Sequence, residues 1–143
     1  MLIFRVILTV LLSMFSFGAS AQSASETHPE ISLELNSVQE VDGACRLSFV
    51  VDNQTGMDID EAVFETVIFD TEGGVVTLSL FDFRELPLNR PRVRQFDLPG
   101  MACDSLGRAL INGANSCVIN GSQSDVCQSA LSLSSRIEVE LLG

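Results

Sequence analysis

Cys45-Arg46-Leu47-Ser48-Phe49-Val50-Val51-Asp52-Asn53-Gln54-Thr55-Gly56 is the stretch from which the fold is read. Cys45, Leu47, Phe49 and Val51 fall on one face of an extended chain, with Arg46, Ser48 and Asp52 on the other. A period of two marks a half-buried β-strand. Asn53-Gln54-Thr55-Gly56 then stops it: an Asn side chain bonds to its own backbone two residues on, and Gly supplies a positive φ. Cys45 therefore lies on the core side of a strand, where a disulfide to a facing sheet is feasible.

The same alternation recurs outward from this strand. Ile31-Ser32-Leu33-Glu34-Leu35 reads as the strand before it, joined by a turn at Val41-Asp42-Gly43. Ala62 to Phe69 follows, apolar on both faces as a central strand is. Asp70-Thr71-Glu72-Gly73-Gly74 closes a hairpin onto a fourth strand, Val75 to Phe83, whose alternation slips near Phe81 and predicts a bulge. Pro87 to Pro91 is an irregular link, too rich in proline for a central strand. Arg92 to Leu98 resumes strand chemistry, and Pro99-Gly100 ends it. Ala109 to Ile111 reads as a short strand. Asn112 to Ser124 reads as a loop around Cys117, and Ser124 to Leu131 as one or two helical turns capped by Ser124 or Asp125. Ile137, Val139 and Leu141 alternate with Glu138 and Glu140 in a last strand. The expectation is an all-β chain: a small Ig-like antiparallel β-sandwich of about seven strands, with a loop and short-helix segment near the C-terminus.

The N-terminal residues follow the physics of export. Arg5 is the one charge before an apolar run from Val6 to Gly18, and Ala19-Ser20-Ala21 supplies small residues for a signal peptidase. The run is shorter than the roughly 20 residues that span a bilayer. The pattern predicts a Sec-type signal peptide over 1–21 with cleavage after Ala21, a polar disordered leader over 22–30, and one domain over 31–143. No membrane span is expected after cleavage. The expected location is the periplasm or the medium.

All nineteen acidic residues and seven of the eight arginines follow Ala21, which leaves 122 residues at a formal charge of −12. Such a chain is repelled by nucleic acid and by anionic lipid. In an oxidising compartment four cysteines in a small domain imply disulfides. Three pairings of Cys45, Cys103, Cys117 and Cys127 are possible. Cys45–Cys103 with Cys117–Cys127 is favoured, because the second closes a short loop with no other obvious glue. A zinc site is disfavoured, since there is no Cys-x-x-Cys and His28 sits in the polar leader.

The run Leu47 to Gly56, with its Asn-x-Thr-Gly turn, and then Phe69-Asp70-Thr71-Glu72-Gly73 resembles small bacterial envelope sandwiches. Arg92-Val93-Arg94-Gln95-Phe96-Asp97-Leu98-Pro99-Gly100, Cys103 and the closing Ser134 to Leu142 resemble a narrower group. Those are uncharacterised alphaproteobacterial periplasmic β-sandwich proteins, often labelled by a twin-arginine (Tat pathway) signal, which this sequence lacks. The resemblance implies the fold and carries over no catalytic residue.

Few constellations could carry chemistry. Nucleophilic catalysis through histidine would have to recruit His28 from the leader. Paired carboxylates exist at Asp58-Ile59-Asp60-Glu61, without the Trp and Tyr that line glycosidase clefts. With Asp52 they form a weak calcium candidate: Asp52, Asp58, Asp60 and Glu61 do not match EF-hand spacing. Arg90, Arg92 and Arg94 are the one basic cluster, at every second position, and are the candidate partner contact. No catalytic residue and no cofactor is expected. The function expected is that of a non-catalytic envelope accessory or protein-interaction module with an envelope protein as partner. The alternative is a module that binds a cation or small solute. An exposed apolar strip on an edge strand would favour the first, a pocket of convergent carboxylates the second.

Overall fold

The computed structural model describes residues 27–143. The expected signal peptide, and the leader up to residue 26, lie outside the described residues. In chain order the elements are β1 (Ile31–Val41), β2 (Ala44–Asn53), β3 (Ile59–Asp70), β4 (Val75–Leu86) and β5 (Arg92–Pro99). A 3₁₀ turn (Cys103–Ser105) leads into β6 (Leu106–Ile119), β7 (Ser122–Gln123), α1 (Val126–Ser129), β8 (Leu131–Ser135) and β9 (Glu140–Leu142).

Two sheets form the sandwich. The first has the order β5-β2-β1-β8, and the second β4-β3-β6-β7 with β9 also paired to β6. The β1–β2 hairpin turns through Asp42 and Gly43, both at positive φ (46° and 75°). A two-residue loop with that handedness matches the twist of the strands it joins. Alternate residues of β1 and β2 point inward: Ile31, Leu33 and Leu35 with Cys45, Leu47, Phe49 and Val51, all essentially buried. They meet Phe64, Ile68, Phe81, Phe83 and Ile111 of the second sheet. Phe49 and Phe64 each sit edge-on to Phe83, with ring centroids 5.5 Å apart. Edge-to-face rings set the electropositive rim of one against the electron-rich face of the other.

Two disulfides join the layers to their connections. Cys45 of β2 bonds Cys103 in the 3₁₀ turn, and Cys117 of β6 bonds Cys127 in α1. Among the described residues no cysteine is free.

The sandwich departs from the sequence expectation in detail. The described residues hold nine strands, and two pairings are parallel: β1 with β8 and β6 with β9. The loop expected over Asn112 to Ser124 is largely strand, since β6 runs to Ile119 and pairs with β3. Its Gly and Asn residues are accommodated at register shifts, so pairing overrides local preference. Asn120 and Gly121, both at positive φ, then turn the chain into β7. The last strand is only Glu140–Leu142, while Ile137 and Val139 pack on the core from an irregular segment. β4 has two extra residues in its pairing with β3: Phe83, two residues beyond the slip in the alternation and followed by Arg84 at φ 60°, and Val76 near its start.

Candidate functional site

Sheet edges expose alternate backbone N–H and C=O groups, and proteins blunt them. Most edges here are blunted. β7 is two residues long, β9 three and β8 five. β5 carries Arg92, Arg94 and Asp97 and ends in Pro99. β4 is the exception. Its stretch Val75-Val76-Thr77-Leu78-Ser79-Leu80-Phe81 runs seven residues without a charge or a proline. It pairs with β3 on one side only.

The side chains of this stretch divide by parity. Phe81 points into the core, while Leu78 and Leu80 stand on the outer face, each about half exposed. Val76, an extra residue in the pairing, is about half exposed beside the groove, and Val75 is 66 % exposed. Leu78 pairs with Val67 of β3, Val67 with Leu110 of β6, and Leu110 with Leu142 of β9. Paired residues share a face, so one aliphatic row crosses the whole outer side of the second sheet. Arg108 lies over the Phe69 ring at 4.8 Å beside this row, which engages its guanidinium in a cation–π contact.

On its other side β4 borders a groove. Three hollows of about 500, 530 and 300 Å³ lie between β4 and β5. The first shares Leu80, Gln95 and Phe96 with the second, and Ser79 and Asp97 with the third, so the three join end to end as one trough along the edge. Phe81 and Phe96 stack at 4.1 Å and close its floor. Past Phe81 the edge is shut. Arg94 donates from Nε to the Phe83 carbonyl (2.6 Å) and from an Nη to the Glu85 carbonyl (3.0 Å), and Asp82 accepts the Arg84 N–H (2.8 Å). The stretch open to a partner is therefore Val75 to Phe81.

The structure separates the three arginines of the sequence reading. Arg94 turns inward onto β4, Arg92 reaches its neighbour Pro91, and Arg90 lies exposed in the link. The four carboxylates of the calcium reading are likewise dispersed. Asp52 accepts from Gln54, Asp58 from the Leu88 N–H and Asp60 from the Gly121 N–H, and Glu61 is exposed on β3. Among the described residues no three His, Cys, Asp or Glu side chains are placed to share a metal ion. A second hollow of about 510 Å³ lies between the sheets at β6, β8 and β9. Phe64, Ile111, Leu131, Leu133 and Leu141 line it, with no Asp or Glu side chain. The sequence reading passed over Val75–Phe81 as a site, although seven uncharged residues of high β-propensity were its signal.

No family model matches this chain, and no curated protein matches it. Among solved structures it is similar to IrmA from Escherichia coli, with a TM-score of 0.61, 13 % identity, and coverage of 74 % of this chain and 92 % of that one. A DUF1425 family member from Shewanella sp. pv-4 matches with a TM-score of 0.45 and 13 % identity over 70 % of this chain and 85 % of that one. At 13 % identity the likeness to IrmA shows a shared β-sandwich fold alone. It lends no support to the twin-arginine label of the group the sequence resembles.

Proposed function

We propose that this chain is a non-catalytic, exported protein-interaction module whose contact is the open edge of β4. One observation carries the reading: an edge strand free of charge and proline from Val75 to Phe81, regular from Thr77 on, with Leu78 and Leu80 presented to solvent. Exposed apolar strips on soluble domains mark contact surfaces or aggregation hazards. The two disulfides fit an oxidising compartment outside the cytosol. No helix among the described residues is long and apolar enough to cross a membrane. Export through a signal peptide cleaved after Ala21 completes the proposal. The cation-binding alternative finds less support, because its carboxylates are held apart.

Crosslinking in intact cells tests it. Wild type and Leu78→Lys are compared after export, each checked for an equal melting temperature. Crosslinked species that vanish with Leu78→Lys support an edge contact. Identical crosslinks from both chains remove β4 from the reading. The N-terminal sequence of the exported chain, expected to start at Gln22, tests the cleavage.

A further inference from the structure

We infer that the occupant of the β4 edge is an extended segment of another protein, with aliphatic residues at alternate positions and Lys or Arg at its ends, added as a fifth strand beside β4. The inference rests on the interaction reading above and names the partner's chemistry. Strand addition draws its affinity from main-chain hydrogen bonds and its specificity from alternate side chains. Both halves of that recognition are present. Main-chain groups without a strand partner on that side run from Val75 to Phe81, and the regular part, Thr77 to Phe81, is about 17 Å at strand rise. The next strand's outer row would extend the series Leu142, Leu110, Val67, Leu78, so its residues on that face are aliphatic. Its opposite row would enter the trough between β4 and β5, over Phe96 and Leu98.

Charge identifies the ends. The rim of the strip is acidic: Glu72 stands at the turn before β4, Asp82 at the far end of the open stretch, and Glu65 opposite Leu80. Arg108 is engaged over Phe69, Arg46 in the trough is paired with Asp97, and Arg84 stands on the sealed part of the edge past Phe81. A partner with basic flanks gains from this field. A second copy at a formal −12 opposes it.

The probes are three labelled eleven-residue peptides offered to the oxidised, exported chain. The first alternates Val or Leu with Thr and carries two Lys at each end. The second replaces the Lys with Glu. The third is the first, N-methylated at alternate backbone nitrogens. Binding is read by fluorescence anisotropy at 50 and 300 mM salt, and the contact by amide shifts in NMR. The expected result is saturable binding of the first peptide with shifts centred on Val75–Phe81. Affinity falls at least tenfold for the Glu and the N-methylated peptides, for Leu78→Lys, and on raising the salt. Met57→Lys, an exposed apolar site in the turn before β3 and outside the trough, leaves binding unchanged.

Equal binding of the Glu peptide overturns the basic-flank inference, and equal binding of the N-methylated peptide overturns strand addition. A concentration-dependent dimer with shifts on β4 assigns the edge to a second copy and overturns a foreign strand. No binding by any peptide overturns the inference, while the cell crosslinks of wild type against Leu78→Lys still decide the broader reading on their own.

Discussion

Asn53 shows how much one residue holds. It is buried at the end of β2, and its side-chain amide is fully used. Nδ2 donates to the Met57 and Leu86 carbonyls (2.8 and 2.7 Å), and Oδ1 accepts from the Thr55 N–H and Oγ1 (3.0 and 2.8 Å). Its own carbonyl accepts the Asn89 N–H at 2.8 Å. The residue thus ties the last turn of one sheet to the end of β4 in the other. Asn53→Ala takes a donor from the buried Leu86 carbonyl and releases the Thr55–Met57 turn, and is expected to cost about 2 kcal/mol. Urea midpoints at unchanged slope check this; a loss under about 0.5 kcal/mol would show that the clamp is dispensable. Asp97 makes a different prediction. Two hydrogen bonds from Arg46 (2.7 and 2.9 Å) hold its carboxyl below the ordinary carboxylate range, and the charge of Arg46 adds to this. A group whose folded pKa lies below its unfolded value stabilises above the unfolded value, near 4. That contribution fades as pH falls through the folded value. Melting curves of wild type and Asp97→Asn should therefore differ slightly at neutral pH, as an exposed pair requires, and converge below about pH 4. The Asn-x-Thr-Gly turn was legible in the sequence because its chemistry is local. The reach of Asn53 to Leu86, 33 residues away, was not, since nothing short of the folded sheets brings that carbonyl near.

At the scale of elements, β4 and Arg94 act together. Arg94 shares parity with Phe96 and Leu98, so strand alternation turns it toward the sandwich, and it meets the carbonyls of Phe83 and Glu85. It seals the part of the β4 edge that the Phe83 bulge has already bent. Arg94→Ala removes charged hydrogen bonds worth about 2 kcal/mol together and lengthens the open edge. Lower stability and faster amide exchange at Arg84 to Leu86 are expected, with more self-association than wild type by sedimentation. Unchanged exchange there would deny Arg94 its sealing role. Leu78→Lys added to Arg94→Ala should reverse that self-association with little further loss of stability, because Leu78 is already 54 % exposed. Strand identity was readable for β1 to β5, where alternation and turn residues agree. For β6 it reached only Ala109 to Ile111 and stopped where Gly, Asn and Ser crowd the strand, and it missed β8. β8 is a strand because parallel pairing with Ile31–Leu35 satisfies its backbone; its local mark is only the short alternation of Leu131 and Leu133 with serine.

For the whole molecule the disulfides set which parts come apart together. Cys45–Cys103 closes a loop with a sequence separation of 58, enclosing β3, β4 and most of both sheets' connections. Cys117–Cys127 closes one of 10 and pins α1 against β6. On the chain-entropy account these stabilise by about 4 and about 3 kcal/mol, through the unfolded chain rather than through new native contacts. The acidic surface works against them, since charges of one sign repel more in the compact state, and salt relieves that repulsion. The double variant Cys45→Ala/Cys103→Ala should therefore be the less stable of the two pairs, and it should regain part of its melting temperature on going from low salt to 0.5 M NaCl. Cys117→Ala/Cys127→Ala should lose less globally and instead expose α1 and β8 to proteolysis, because the helix has only one turn to hold it. Calorimetry of both variants with limited proteolysis checks the order. If the short-loop variant proved the weaker, the sandwich would depend on how α1 closes the β8 side and not on chain entropy. The open β4 edge lies across the molecule from that closure, so either variant should still bind at β4 while folded.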